Sequence, residues 1–578
     1  MKSTALALVL VLVAALALGG CKKPAPPTVA HLVDDFVYGV LGFSPIMATA
    51  AGYHTHMDQH LDEMLDSYDE VDLKKQRDFY NGLRERMALI QPETLSVEDR
   101  ADFDILADQI RAQLLELDTI QNYKHNPTVY VEQLGSALFN PFVLEYAPLE
   151  ERYRHIAARL TKVPQLLGQA QRNLVDAPEV WVRVAIAEND GNRDLITKVI
   201  LPKSPESMKL QMDRQAQEAL QAIDRFNTFL SKELSKHPSD WRLGKEKYAL
   251  KFGPALELGL RPEEVLADAE AELERARGEM VSTAKALNPK ATGDADSIVR
   301  KALDEIAGRH AKREQYFGQA EKDLEEVRQF VRAKGFVKLP TRDNLKVIPT
   351  PVFMRGIYAV GGFNPAPALE PKLGAFYWLT PIEETMAADQ VESKLREYNA
   401  YGLKLLTIHE AIPGHYLQFE YANDVEPQSR RILRGLFGNG PYVEGWAVYS
   451  TEVTVEQGYL DNDPRMKLTW LKQYLRTIAN TILDVRMQTM GMTDEQAMSL
   501  MVDKTFQEKQ EATAKLQRAK LSSTQLPTYF TGFRAWKRLR AEAQSREGAA
   551  FDLARFHQRA LAAGAVPMPA LGRILARK

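Results

Sequence analysis

The segment His409-Glu410-Ala411-Ile412-Pro413-Gly414-His415 carries the residue types best suited to chemistry. Two neutral imidazoles can ligate a divalent ion, and a glutamate beside the first can take a proton from water. A zinc hydrolase needs such a pair, a third protein ligand and one open position. On a regular helix, side chains four residues apart diverge by about 40°, whereas side chains six apart diverge by about 120°. A straight helix therefore cannot bring His409 and His415 to one ion. Pro413 lacks the N–H that would bond to the carbonyl of His409, and its ring would clash there. Gly414 adds backbone freedom at the same point. The spacing predicts a widening or kink that absorbs two residues and returns His415 to the face of His409.

The third ligand is expected on a nearby element. Glu444, in Tyr442-Val443-Glu444-Gly445-Trp446-Ala447-Val448-Tyr449, follows a glycine-bearing loop over 435–440 that allows an antiparallel return. A surface ion pair is the ordinary role of a glutamate, but this one sits among apolar and aromatic neighbours, where an unpaired carboxylate is costly.

His409 through Gln418, followed by Glu444-Gly445-Trp446-Ala447 and Tyr449, resembles the bacterial family called domain of unknown function 885 (DUF885). Its members look like distant relatives of the gluzincin metallopeptidases, whose third ligand is a glutamate. Pro45 to Thr49 with Gly52, and Gly374 to Tyr377, also resemble family segments, so the likeness spans most of the chain. The resemblance implies a mainly α, two-lobed, zincin-like metallopeptidase fold around a cleft, with a small β-sheet beside the active-site helix. It also implies Zn2+ held by His409, His415 and Glu444, with Glu410 as general base. The chain departs from the family at Gln488, where relatives tend to carry a histidine that could assist the transition state; glutamine can hydrogen-bond but carries no charge.

Peptide hydrolysis also needs a donor to the developing oxyanion. Tyr529, in a Gln-x3-Tyr-x2-Gly stretch that resembles a family segment, is a candidate catalytic residue, and a core tyrosine is its bland alternative. Arg534 could hold a substrate carboxylate or form a structural ion pair. The strand-like stretch Gly374 to Trp378, with Tyr377, could present a sheet edge to an extended peptide or be a core strand. His54 and His56 show no ligand spacing and read as surface or packing residues.

The remaining chain must position these groups. Windows such as 150–175, 207–236 and 262–286 have helical apolar spacing, and residues 397–408 lead as a helix into His409. Short β-branched or aromatic runs at 347–349, 356–360 and 374–379, separated by Gly and Pro, predict a small sheet before the motif. At the other end, Met1-Lys2, an apolar run to Leu18, and Leu18-Gly19-Gly20-Cys21 have the order of an export signal and resemble a bacterial lipobox. Acylation is expected on Cys21, the single cysteine of the 578 residues, and it leaves no thiol for disulfides or nucleophilic attack. Lys22 rather than Asp after the cysteine favours the outer membrane, facing the periplasm, by the same resemblance.

The expected organisation is a signal peptide over 1–20, a tether over 21–30, a mainly helical lobe over 31–340, and a sheet-plus-helix lobe over 341–578 that shares one catalytic unit with it. A formal net charge of −3 gives no basic excess for nucleic acid. The expected activity is zinc-dependent hydrolysis of a peptide substrate, with the membrane reached through the lipid on Cys21. The alternative is a non-catalytic envelope lipoprotein that keeps the fold and binds peptides or a protein partner.

Overall fold

The computed structural model describes residues 27–355 and 358–577; Cys21 and the signal lie outside them. The first helix, Val29–Phe43, begins two residues before the end of the expected tether, because Thr28 caps it by accepting a hydrogen bond from the His31 N–H at 3.3 Å. The chain is mainly helical, at 72% helix. The helix Pro262–Leu287 illustrates why. Pro262 occupies its first turn with Glu263 and Glu264, and Glu264 accepts from the Arg261 N–H at 2.9 Å. Val265, Leu266, Ala269, Leu273, Ala276 and Met280 then form one buried stripe.

Two hydrophobic cores result, and they do not part near residue 340. The larger one runs from Val29 to Leu575 and joins helices from both ends of the chain. The smaller one is built mainly on residues 130–234, from the helices Thr128–Val143, Leu149–Asn173, Glu179–Asp194 and Lys209–Lys232.

A hairpin of β1 (Thr55–His56) and β2 (Gln59–His60) lies near the N-terminus. The sheet expected before the motif comprises β3 (Leu345–Pro349), β4 (Gly361–Asn364) and β5 (Ala375–Leu379), in the order β3-β5-β4. β5 pairs in parallel with β3, placing Val347 opposite Tyr377, and antiparallel with β4, placing Phe363 opposite Tyr377. Its side chains alternate: Phe376 and Trp378 enter the smaller core, while Ala375, Tyr377 and Leu379 enter the larger one. The sheet is thus the partition between the cores. Of the strand expected over 356–360, the first two residues lie outside those described, and Tyr358 to Val360 form a bend, with β4 starting only at Gly361. No single described helix is long and apolar enough to cross a membrane.

Candidate functional site

The motif occupies two helices rather than one widened helix. Gly402–Glu410 ends on the glutamate and His415–Ala422 starts on the histidine. The approach is shorter than expected, because Glu397 closes a separate helix, Ala388–Glu397, and Asn399 accepts from the N–H groups of Tyr401 and Gly402 to start the next. Across the break, Gly414 N–H donates to the Ile408 carbonyl at 3.0 Å, an offset of six residues instead of four. Two residues are therefore absorbed, and the second histidine stands where an i+4 residue would. The turn needs glycine: a Cβ on Gly414 would lie 1.9 Å from the His409 carbonyl oxygen and 2.4 Å from that of Ile408.

Trp446 holds the break from outside. Its indole N–H faces the carbonyls of Pro413 and Gly414 at 2.9 and 3.3 Å, supplying a donor at the point where one helix has stopped and the next begins, where the Gly414 carbonyl also accepts from the Gln418 N–H at 3.1 Å. Trp446 is two residues from Glu444 on the helix Gly440–Glu456, so one element both positions the carboxylate and clamps the turn. That helix packs against Pro527–Glu547 at a glycine crossing. A Cβ on Gly445 would stand 2.4 Å from the backbone of Gly532, an approach that only two glycines permit. The crossing brings Gln525 and Tyr529 beside Glu444.

His409, His415 and Glu444 converge as the sequence predicts, with one ligand atom from each within 4.8 Å of the others. Glu444 Oε2 lies 3.4 Å from His415 Nε2 and 3.7 Å from His409 Nε2. Among the described residues this oxygen is buried and accepts no hydrogen bond, whereas Oε1 accepts from Gln525 Nε2 at 3.3 Å. Gln418 Oε1 lies 3.4 Å from His415 Nδ1, which leaves Nε2 turned towards the carboxylate. Burial would raise the Glu444 pKa, but the two histidines outweigh it and hold the carboxyl well below the usual range. Conversely, burial would lower His415, and Glu444 and Glu410 raise it. Glu410 is raised by its burial, with His409 and His415 opposing.

These groups open onto a cavity of about 330 Å³. Tyr529 lines it, its ring nearly parallel to that of His409 at 6.3 Å between centroids, and its phenol is pushed far up, chiefly by burial. Phe363 of β4 stacks on His415 at 6.4 Å.

Three expected positions are not on the cavity wall. Tyr377 is fully buried in the middle strand, with its hydroxyl 3.4 Å from Thr407 Oγ1, so it offers no edge. The strand that borders the cavity is β4, an edge strand, through Gly361, Gly362 and Phe363. Arg534 is 45% exposed and reaches Glu272 and Asp268 at 3.3 and 3.4 Å, the structural ion-pair alternative. Gln488 also lies away from the cavity. It accepts from the Leu243 N–H at 2.9 Å and donates to the Ser522 carbonyl at 3.3 Å, so the departure at 488 concerns packing between segments.

Sequence reasoning missed Gln525, although it lies in the quoted Tyr529 stretch, and it missed Trp446 as a clamp. It also missed Arg476, Lys515 and Arg518, which line the cavity from helices whose charge pattern looks like any solvated face.

Comparison with known proteins follows the fold closely. A structure from Shewanella oneidensis, described as a candidate lipoprotein of unknown function, is similar with 28% identity and a TM-score of 0.77, covering 95% of this chain and all of that one. A second, described as a candidate lipoprotein from Colwellia psychrerythraea, has 19% identity and a TM-score of 0.77 over 95% of this chain and 99% of its own, and shows the shared fold alone. No curated protein matches the chain. The profile of the bacterial family of unknown function DUF885 matches residues 45–575, and the chain belongs to that family.

Proposed function

We propose that the chain is a zinc-dependent peptide hydrolase with His409, His415 and Glu444 as ligands and Glu410 as general base. The observation that carries this reading is the unsatisfied Oε2 of Glu444 facing two imidazole nitrogens. In a tetrahedral site with zinc bonds of about 2.0–2.1 Å, neighbouring ligand atoms stand roughly 3.4 Å apart. The separations of 3.4 and 3.7 Å fit that arrangement and are long for histidine–carboxylate hydrogen bonds. The donor set therefore fits a divalent ion of borderline softness. When bound there, such an ion supplies a Lewis acid that acidifies water and polarises a carbonyl.

The remaining steps belong to the chain. Glu410 faces the same cavity with a proton affinity above that of an ordinary carboxylate, accepts a proton from the attacking water, and returns it to the leaving amine. Tyr529 donates its hydroxyl to the developing oxyanion. The free side of β4 gives an extended peptide backbone groups to pair with. Gln525 and Gln418 keep Glu444 and His415 oriented. The lipobox-like Cys21 and the naming of the Shewanella oneidensis structure as a candidate lipoprotein support an acylated protein in the cell envelope, and Lys22 after the cysteine favours the outer membrane, facing the periplasm.

The test is metal analysis of purified protein together with cleavage of a mixed peptide library. Glu410→Gln should keep its zinc and lose turnover by about 10²–10⁴-fold. Full zinc occupancy with no cleavage of any peptide by the unaltered protein would instead favour a peptide-binding envelope lipoprotein.

A further inference from the structure

The cavity carries both signs of charge. Glu410, Glu444 and the histidines line it, and so do Lys515 and Arg518 from the helix Lys509–Leu521, three residues apart on one face. The neighbouring cations are neutralised. Arg476 pairs with Glu511 and contacts the Tyr398 hydroxyl at 3.0 Å, and Lys520 pairs with Asp494 at 2.6 Å. Among the described residues, neither Lys515 nor Arg518 forms an ion pair. Glu132 and Glu188 face Arg518 at longer range from two helices of the smaller core. Burial, with repulsion from Glu132 and against the pull of Arg518, pushes Glu188 up to about 9, and burial raises Glu132 as well. Burial, then repulsion from Arg476 and Arg518, pushes Lys515 down to about 7. Glu511 and Glu444 oppose that shift without reversing it, so the carboxylates of the cavity offset only part of the cost of two basic side chains that form no ion pair, and a bound anion would offset more.

Resting on the peptidase reading above, we propose that Lys515 and Arg518 anchor a carboxylate of the peptide, and that this is the substrate's own C-terminus. The choice of the terminus follows from size. A cavity of about 330 Å³ is at the small end for ligand pockets and takes a short peptide, whose free end then falls inside. A guanidinium and an ammonium bind a carboxylate through charge-assisted hydrogen bonds, and neither gains as much from a neutral amide. The same pair gives the enzyme its polarity: C-terminus at Lys515 and Arg518, scissile carbonyl at His409, His415 and Glu444. The predicted substrates are short peptides with a free C-terminus, cut close to that end.

Calorimetric titration tests this with the tripeptide Ala-Phe-Ala as the free acid, its C-terminal amide, and Ala-Phe-Glu amide, whose only carboxylate is a side chain. Binding is measured on the unaltered protein and on Glu410→Gln, so peptides can prove inert to cleavage without affecting the result. The free acid should bind at least about ten-fold more tightly than either amide. In the Lys515→Met/Arg518→Met double variant it should fall to the affinity of the amides, and Arg518→Lys should recover part of the difference. Equal affinities for acid and amide on unaltered protein, or a preference that survives the double variant, overturn the proposal. Ala-Phe-Glu amide binding as tightly as the free acid overturns the assignment to the C-terminus. The acid–amide comparison stands even if the double variant fails to fold.

Discussion

Two clusters in this molecule place histidine between carboxylates, and they do opposite things with the arrangement. In the first, His54 joins Asp62 at 2.8 Å through Nδ1 and Glu370 at 3.2 Å through Nε2, while Asp62 also accepts from the Thr49 hydroxyl at 2.7 Å. His155 stands 3.9 Å from the same aspartate, and Tyr146 lies between the two imidazoles, stacked on each. Every contact there has hydrogen-bond geometry or the room of an ordinary ion pair. In the second cluster, His409, His415 and Glu444 keep separations of 3.4 and 3.7 Å, and a buried oxygen between them accepts nothing. The first cluster is a finished bridge between residues 54–62 and the β4–β5 connection, whereas the second leaves an acceptor unmet among the described residues, the feature on which the proposed metal site rests. Proximity of histidine and carboxylate is thus a weak sign of a metal centre; an unmet acceptor at ligand-to-ligand spacing is a stronger one.

That contrast breaks most visibly by deletion. Glu444→Ala should lower zinc affinity by more than about 100-fold, bringing metal content measured by mass spectrometry from near one per chain to near zero. Asp62→Asn should leave metal content unchanged and instead cost about 3 kcal/mol of stability in urea unfolding, since it removes the charge that His54 and the buried Arg159 face. Equal metal loss in both variants would erase the distinction.

Gly414→Ala sharpens the comparison by testing geometry without touching a ligand. With a Cβ forced to 1.9 Å from the His409 carbonyl oxygen, the break must shift, and unfolding should move by about 2–3 kcal/mol together with weaker zinc binding. Trp446→Phe keeps the ring and removes the N–H that caps Pro413 and Gly414; zinc affinity by competitive chelation should fall by about ten-fold.

The smallest effect belongs to the finished bridge. Burial alone would lower the His54 pKa, but hydrogen bonds and charge from Asp62 and Glu370 outweigh it and leave the imidazole raised. A group whose folded-state pKa is raised contributes stability that is fully present below its unfolded value, about 6.5, and that disappears as pH rises through the folded value. His54→Gln should therefore flatten the pH dependence of unfolding above about pH 6, by less than about 1 kcal/mol. An unchanged slope in urea titrations across that range would remove His54 from the bridge.

Much of the candidate site was legible in the primary sequence because its parts are local. The offset of six between two histidines, with Pro413 and Gly414 between, predicts a turn that absorbs two residues, and the structure supplies one by stopping the helix and restarting it. The buried surroundings of Glu444 were readable from its neighbours for the same reason. His54 gave no such sign, because its partners Asp62 and Glu370 are 8 and 316 residues away. Tyr377 misled because an alternating aromatic strand looks the same at a sheet edge and in the middle; strand order is set by pairing with β3 and β4. Arg534 and Arg518 are alike as letters, yet one meets the buried Glu272 and the exposed Asp268 while the other lines a cavity and forms no ion pair among the described residues.

By itself, then, the sequence determined a mainly helical chain, a small sheet before the motif, and which two imidazoles and which carboxylates would be available, since each follows from backbone geometry within a few dozen residues. Only the tertiary structure decided that the sheet would separate two cores, that β4 rather than β5 would border the cavity, and that Lys515 and Arg518, without an ion pair among the described residues, would line it together with the histidines. Those outcomes depend on contacts between segments hundreds of residues apart, where no local spacing rule reaches and burial sets which charges meet.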